Sequence, residues 1–323
     1  MIRRRYGFAM TLTLPTPAQP LKIGTRGSPL ALAQAHETCA RLMKAFDLPL
    51  EAFQIVSIST RGDRVQDRAL RELGGKGLFS KEIEDRLLNG EVDIAVHSTK
   101  DMSVEQPEGL VLDTYLPREN PFDAFITLDG RALADLPQGA VVGSSSLRRK
   151  AQLLNKRPDL QVIEFRGSVQ TRLQKLKDGV ADATFLALAG LNRLGFDDVP
   201  RVAVTAEEML PAVAQGAISI ERRAADHHIA DMLAAIHHAP TGQALACERA
   251  FLAKLDGSCQ TPIAGLAQIV GGSLRLRGEI LRSDGSESLS DDVSGAISDG
   301  PEMAVDMATK LLERAGEGFF DWK

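Results

Sequence analysis

Three times in this chain a short apolar strand passes through arginine, glycine or serine directly into a sequence that starts a helix. Val141-Val142 leads through Gly143-Ser144-Ser145-Ser146 into Leu147-Arg148-Arg149-Lys150, with Ser146 placed as the helix cap. The alternating strand Gln161 to Phe165 leads through Arg166-Gly167-Ser168 into Val169-Gln170-Thr171-Arg172. Leu21 to Thr25 leads through Arg26-Gly27-Ser28 into Pro29, with Ser28 as cap and proline at its favoured first helical position. Repeated strand-to-helix junctions predict an α/β fold, and the arginines predict more. A cation in the first helical turn opposes the macrodipole and costs roughly 0.3–1 kcal/mol. A carboxylate or phosphate ligand offsets that cost, because helix-start amides, serine hydroxyls and guanidinium forks all bind anions. One such turn reads most simply as a solvated basic surface; the junctions together point to an anion site.

The surrounding composition narrows the ligand. A chain of 323 residues with 44% hydrophobic and 25% charged residues is long enough for two or three domains with proper cores. No run approaches a membrane span. The net charge of −5 argues against a nucleic-acid binder, so the arginines form a local site for a small acid inside an acidic protein. Cys39, Cys247 and Cys259 are an odd number without CxxC spacing, which excludes a disulfide framework, offers no zinc set and predicts the reducing cytoplasm. Residues 1–19 read as a flexible arm: the basic start imitates a signal, but Thr11-Leu-Thr-Leu-Pro-Thr-Pro breaks any apolar region. An organellar presequence is the alternative.

Along the chain, the Arg26 junction opens a helix from Pro29 to Phe46, and a strand follows from Glu51 to Ser59. The polar loop Thr60 to Lys76 is long for an α/β connection and reads as a lid; its Gly74-Gly75-Lys76-Gly77 end lacks the hydroxyl and first glycine of a P-loop. A helix from Ser80 to Asn89 precedes the strand Val92 to His97, whose carboxyl end presents Ser98-Thr99-Lys100-Asp101, where ligands of open α/β sheets bind. Lys100 beside Asp101 reads either as a surface ion pair or as a pair for proton chemistry on a bound acid. After Leu110 to Leu116, Pro117-Arg-Glu-Asn-Pro121 reads as a hinge into a second unit that starts at Asp123 and ends in a helix from Ala183 to Leu194 carrying Arg193. Pro211 to Ala217 reads as a return crossing, with Ile218 to Arg222 adding a strand to the first unit. His227-His228 and His237-His238 read as surface pairs rather than metal ligands.

The remainder differs in character: a helix from Thr241 to Leu255, the loop Asp256-Gly257-Ser258-Cys259, three strands (Ile263 to Val270, Ser273 to Leu281, Glu287 to Val293) and a last helix from Glu302 to Ala315. Gly271-Gly272 is a hairpin signal between the first two strands. Cys259 lies in the glycine loop and is the cysteine placed to react, whereas Cys39 and Cys247 fall within amphipathic helices. The expected domains are 20–116 with 217–238, then 117–216, then 239–323.

Taken together, these motifs resemble the porphobilinogen deaminase (hydroxymethylbilane synthase) family over residues 20 to 315. The resemblance rests on Thr25-Arg26-Gly27-Ser28-Pro29, Thr60-Arg61-Gly62-Asp63, Gly74 to Phe79, His97 to Asp101, Ser144 to Arg149, Arg166-Gly167 with Thr171-Arg172, Ala189 to Arg193, Gln215-Gly216-Ala217 and Cys259-Gln260-Thr261-Pro262. It implies two α/β domains like those of periplasmic binding proteins around a cleft, plus a small C-terminal α+β domain. It implies a transferase that joins four porphobilinogen molecules, losing ammonia each time, onto a dipyrromethane cofactor and then releases the tetrapyrrole by hydrolysis. The cofactor thioether falls on Cys259 and the catalytic carboxylate on Asp101. Cofactor contacts fall on Lys100, Ser98, Ser146, Arg148, Arg149 and Arg172; substrate contacts fall on Arg26, Ser28, Arg166, Arg193, Lys76, Phe79 and Gln215. A monomer acting on porphobilinogen, without nucleic acid, membrane or metal, is the corresponding expectation.

The chain departs from the family pattern at Ser258 and Ala214, each in place of glycine, at Ser168 in place of asparagine, and at Glu72 where lysine is common, with Arg71 beside it as a substitute. A two-domain solute receptor for a polycarboxylate is the competing reading, since the fold is shared; the appended unit with Cys259 favours the enzyme. A nicotinamide oxidoreductase is a third reading, weakened because no GxGxxG follows a strand.

Overall fold

A computed structural model describes residues 12–64, 77–258 and 260–320. The first sheet begins with β1 (Leu21–Arg26), followed by α1 (Pro29–Phe46), β2 (Phe53–Ile58), the short α2 (Arg61–Arg64), α3 (Lys81–Leu88), β3 (Ile94–Ser98) and β4 (Leu110–Tyr115). The second unit contains β5 (Asp123–Thr127), β6 (Val141–Gly143), α4 (Leu147–Lys156), β7 (Gln161–Ile163), α5 (Val169–Lys177), β8 (Ala183–Ala187), α6 (Leu188–Arg193) and β9 (Val202–Ala203). The chain then returns through β10 (Ile218–Arg223) and α7 (His227–Ala234), and ends with α8 (Ala239–Lys254), β11 (Ile263–Val270), β12 (Ser273–Leu281), β13 (Ser288–Ala296) and α9 (Gly300–Ala315).

Two five-stranded sheets share one plan. Their orders are β2-β1-β3-β10-β4 and β7-β6-β8-β5-β9, and in each the first three strands run parallel while the fourth is antiparallel. That fourth strand is the one that arrives from the other unit: β5 follows the outgoing crossing and β10 the return crossing. Each central strand is buried on both faces, as β5 (all five residues) and β3 show, because helices cover both sides. The third sheet, β11-β12-β13, is an antiparallel meander packed on α8 and α9 around Leu245, Phe251, Leu276 and Met307. Gly271 and Gly272 turn its first hairpin with φ of +58° and +83°, the left-handed pair that such a turn requires.

The strands and helices follow the sequence reading with a few corrections. Ala183 to Leu194 is not one helix: Ala183–Ala187 forms β8, paired with β5 and β6, and only Leu188–Arg193 is helical. An unbroken apolar run fits a doubly buried strand as well as a buried helix, and sheet pairing decides between them. His237 and His238 are half-buried rather than surface residues: Nδ1 of His237 accepts from the Tyr115 amide at 3.3 Å, and His238 caps α8. The expected lid enters as α2, but residues 65–76 lie outside the described residues, as does most of the arm at residues 1–19. Arg71 and Glu72 therefore also lie outside them.

Candidate active site

The carboxyl ends of both parallel triplets face one cleft of about 650 Å³. Local sequence explains the junctions that build it. Ser28 accepts from the Ala31 amide at 3.3 Å, Ser146 from Arg149 at 3.4 Å and Ser168 from Thr171 at 3.2 Å, so each serine satisfies a helix-start donor and each arginine is held beside it. Gly143 must be glycine, because a Cβ there would lie 2.4 Å from the buried Phe165 ring. Arg26, Ser28, Ser146, Arg148, Arg149, Arg166 and Arg172 all line the cleft, as do Phe79, Lys100, Asp101 and Gln215. Its third wall comes from the C-terminal unit, through Leu252, Ser258, Thr261 and Ile263.

The cations divide by partner. Arg26 pairs with Asp63 and stacks over Phe79 at 4.3 Å, which fixes its head at the cleft edge. Burial would raise the Asp63 pKa, but Arg26 and Thr60 hold it below the ordinary range. Arg148 donates to Asp123 Oδ2 at 2.8 Å and to the Leu210 carbonyl at 2.7 Å; Arg149 donates to Asp123 Oδ1 at 2.7 Å and to the Phe185 carbonyl at 2.8 Å. Both arginines are buried, and the Nε of each has no hydrogen-bond partner among the described residues. Burial works against the Asp123 charge, yet the two guanidiniums hold that carboxyl far below its usual range.

Lys100 and Arg172 are different. Lys100 donates from Nζ to Gln215 Oε1 at 3.2 Å, and Arg172 from Nε to the Gly167 carbonyl at 3.0 Å; neither meets a carboxylate within ion-pair distance among the described residues. Burial, with Arg149 and Arg148 nearby, pulls Lys100 down to about 8 despite Asp101 and Asp123. Burial, Arg149 and Arg166 pull Arg172 down to about 10. Positive charge thus exceeds its protein counter-charge at this wall, the condition that binds a polycarboxylate. Asp101 ends the 3-10 turn Thr99–Asp101 just beyond β3 and reaches the same cleft.

Two expected contacts are not cleft-lining residues. Ser98 Oγ donates to Gln34 Oε1 at 3.0 Å on α1. Arg193 ties the units together, donating to Glu37 Oε2 at 3.2 Å and to the Gly216 carbonyl at 3.1 Å. Cys259 and Lys76 lie outside the described residues. Cys39 and Cys247 are buried in α1 and α8; burial raises the Cys39 pKa, and burial with Glu248 pushes Cys247 up to about 12. Sequence reasoning missed Asp123. Its signal was an acid heading a strand otherwise apolar from Ala124 to Ile126.

Residues 21–231 match the family model described as "Porphobilinogen deaminase, dipyromethane cofactor binding domain", and residues 243–315 match "Porphobilinogen deaminase, C-terminal domain". A curated porphobilinogen deaminase of Paracoccus denitrificans is 62% identical over 309 residues, covering 96% of this chain and 99% of that protein. Among solved structures, the BvgS periplasmic VFT2 domain of Bordetella pertussis is similar at a TM-score of 0.39 with 14% identity, covering 67% of this chain and 86% of that one. The GluR0 ligand-binding core of Nostoc punctiforme also gives a TM-score of 0.39, with 13% identity over 67% of this chain and 91% of that one. With both models consecutive along one sequence and so similar a relative matched almost end to end, the chain belongs to the porphobilinogen deaminase family.

Proposed function

We propose that this protein joins four porphobilinogen molecules head to tail, with loss of ammonia at each addition, and releases hydroxymethylbilane by hydrolysis. The observation that carries the reading in this structure is the cleft wall of Lys100, Arg149 and Arg172, whose charge exceeds its protein counter-charge. Each porphobilinogen ring carries two carboxylates, so a growing chain meets such a wall with matching charge. A solute receptor needs the same anion chemistry but has no use for a cysteine loop at the cleft. Ser258 and Thr261, on either side of Cys259, line it.

The residues present fit a dipyrromethane cofactor: it carries carboxylates, and Lys100 and Arg172 line the cleft with no carboxylate at ion-pair distance among the described residues. Cys259 would hold it as a thioether, with Lys100, Ser146, Arg149 and Arg172 taking its acids. When bound, that group supplies a covalent pyrrole primer on which the product is built. Arg26, Ser28 and Arg166 orient the carboxylates of the incoming substrate, and Phe79 covers them. Departure of ammonia from the substrate leaves a cation, which the Asp101 carboxylate stabilises while the leaving amine takes a proton. Among the described residues no helix is long and apolar enough to cross a membrane. A cytoplasmic monomer is part of the proposal, with the domain boundaries at 116/117, 216/217 and 238/239.

Intact mass and peptide mapping test the reading. Active protein is expected to carry a two-pyrrole adduct on the Cys259 peptide and none on those containing Cys39 or Cys247, which burial keeps protonated and enclosed. Cys259→Ser is expected to fold without the adduct and without activity, because a hydroxyl is a far poorer nucleophile than a partly ionised thiol. Active enzyme at the bare chain mass, or a fully active Cys259→Ala variant, would overturn it.

A further inference from the structure

Asp123 has no exposed side-chain surface, and three donors converge on it. Arg149 and the Gln215 amide reach Oδ1 at 2.7 and 2.8 Å, while Arg148 reaches Oδ2 at 2.8 Å. The Gln215 contact carries the argument. Its Nε2 also donates to the Pro121 carbonyl at 2.8 Å, so both amide protons are committed and Oε1 must be the end turned to Lys100 Nζ, 3.2 Å away. Were the amide flipped, an NH₂ would face an ammonium and two donors would oppose each other. An ionised Asp123 forbids that flip.

The line of contacts runs from the start of β5, through the return crossing, to the turn after β3 where Asp101 follows Lys100. We propose that Asp123 is a positioning residue for the family reaction: acting through Gln215, it fixes the Lys100 ammonium beside Asp101. The inference rests on the proposed function only in giving Lys100 an acid to hold. Asp101, Asp123, Arg148 and Arg149 are the charges that face Lys100, and Asp123 acts on it both by charge and through the amide. A residue that merely buttressed Arg148 and Arg149 would act without Gln215, and the two modes separate in a double-mutant cycle.

The test is the titration of Lys100 in the full-length holoenzyme, followed by NMR of ¹³C-labelled lysine, with the Lys100 signal assigned by its loss in Lys100→Arg. Asp123→Asn and Gln215→Leu are each expected to move the Lys100 midpoint to lower pH by roughly one unit, since each removes support for the charged form. The double variant is expected to lie no lower than the lower single variant. Additive shifts, or a Lys100 midpoint unmoved by Asp123→Asn, overturn the proposal. Because no substrate enters the titration, a different activity for the cleft would leave this result standing, whereas a missing Cys259 adduct would count against the function alone. Should Asp123→Asn fail to fold, Asp123→Glu displaces the carboxylate by one methylene. It is expected to shift Lys100 in the Gln215 background and not in Gln215→Leu, and equal shifts in both backgrounds overturn the proposal.

Discussion

Lys100 and Asp101 are neighbours in sequence with different tasks, and pH separates them. The buried, arginine-flanked Lys100 titrates at about 8 against an ordinary value of 10.5. Its charged form binds carboxylates, so kcat/KM for porphobilinogen is expected to fall as pH rises through about 8 wherever Lys100 is not already shielded by ligand. Lys100→Arg keeps the charge at all working pH values and is expected to flatten that limb. Asp101→Asn is expected to lower turnover on the order of 10²–10³-fold and to move the limb to lower pH without abolishing it, because the lost charge faces the substrate cation and also supports protonated Lys100. One set of pH–rate profiles on adduct-bearing protein checks both; a limb unchanged in Lys100→Arg refutes the Lys100 assignment. For the fold the sign is opposite: the depressed pKa makes protonated Lys100 a cost below about 8 that is relieved as pH climbs to 10.5. The sequence located this pair because a strand's carboxyl end is a general ligand position. It could not show the shifted lysine, whose neighbours Arg149 and Asp123 come from the other unit.

At the level of elements, the helix starts were legible and the direction of their arginines was not. Ser28 and Ser146 cap as their spacing predicts, since capping is settled within four residues. Arg148 sits 25 positions from Asp123, however, and only the packing of α4 against β5 reveals that it points to a carboxylate. Arg172, on α5, has no such acid among the described residues. These two arginines should consequently behave in opposite ways. Arg148→Ala leaves part of a buried acid uncompensated and is expected to cost about 3 kcal/mol of stability, toward the low end for a broken buried pair because Arg149 still holds Asp123. Arg172→Ala removes a cation held at a cost and is expected to leave stability unchanged or raised, while weakening the binding of the acidic substrate or cofactor by roughly 10- to 150-fold. Urea unfolding alongside substrate titration decides the matter, and equal destabilisation by both would refute the division.

Across the whole molecule, the two proline-marked segments were legible as crossings between the units, but not what clamps them. Arg118 leaves the first crossing and meets Glu248 of α8, with Nη1 to Oε1 at 2.6 Å and Nη2 to Oε2 at 3.2 Å. The same carboxylate accepts the Ala214 amide of the return crossing at 2.6 Å and the Ala267 amide of β11 at 2.8 Å. Ala214 holds a left-handed φ of 61°, and Gly216 beside it, at φ 87°, lies so close to the Glu119 carbonyl that a Cβ would come within 2.5 Å. One fully buried acid therefore ties both crossings to the unit whose loop carries Cys259. In sequence Glu248 is one more charge on a helix, because its partners are 19, 34 and 130 residues away. Glu248→Ala strands Arg118 and the two amides, and the expected loss is about 3–5 kcal/mol. It should also uncouple the C-terminal unit, so that chemical denaturation separates into two transitions where the parent shows one, with the group on Cys259 still covalently attached but withdrawn from its cleft contacts in the first. A single transition at unchanged midpoint would mean that apolar contacts around Val213, Leu245 and Phe251 hold the units together without the clamp.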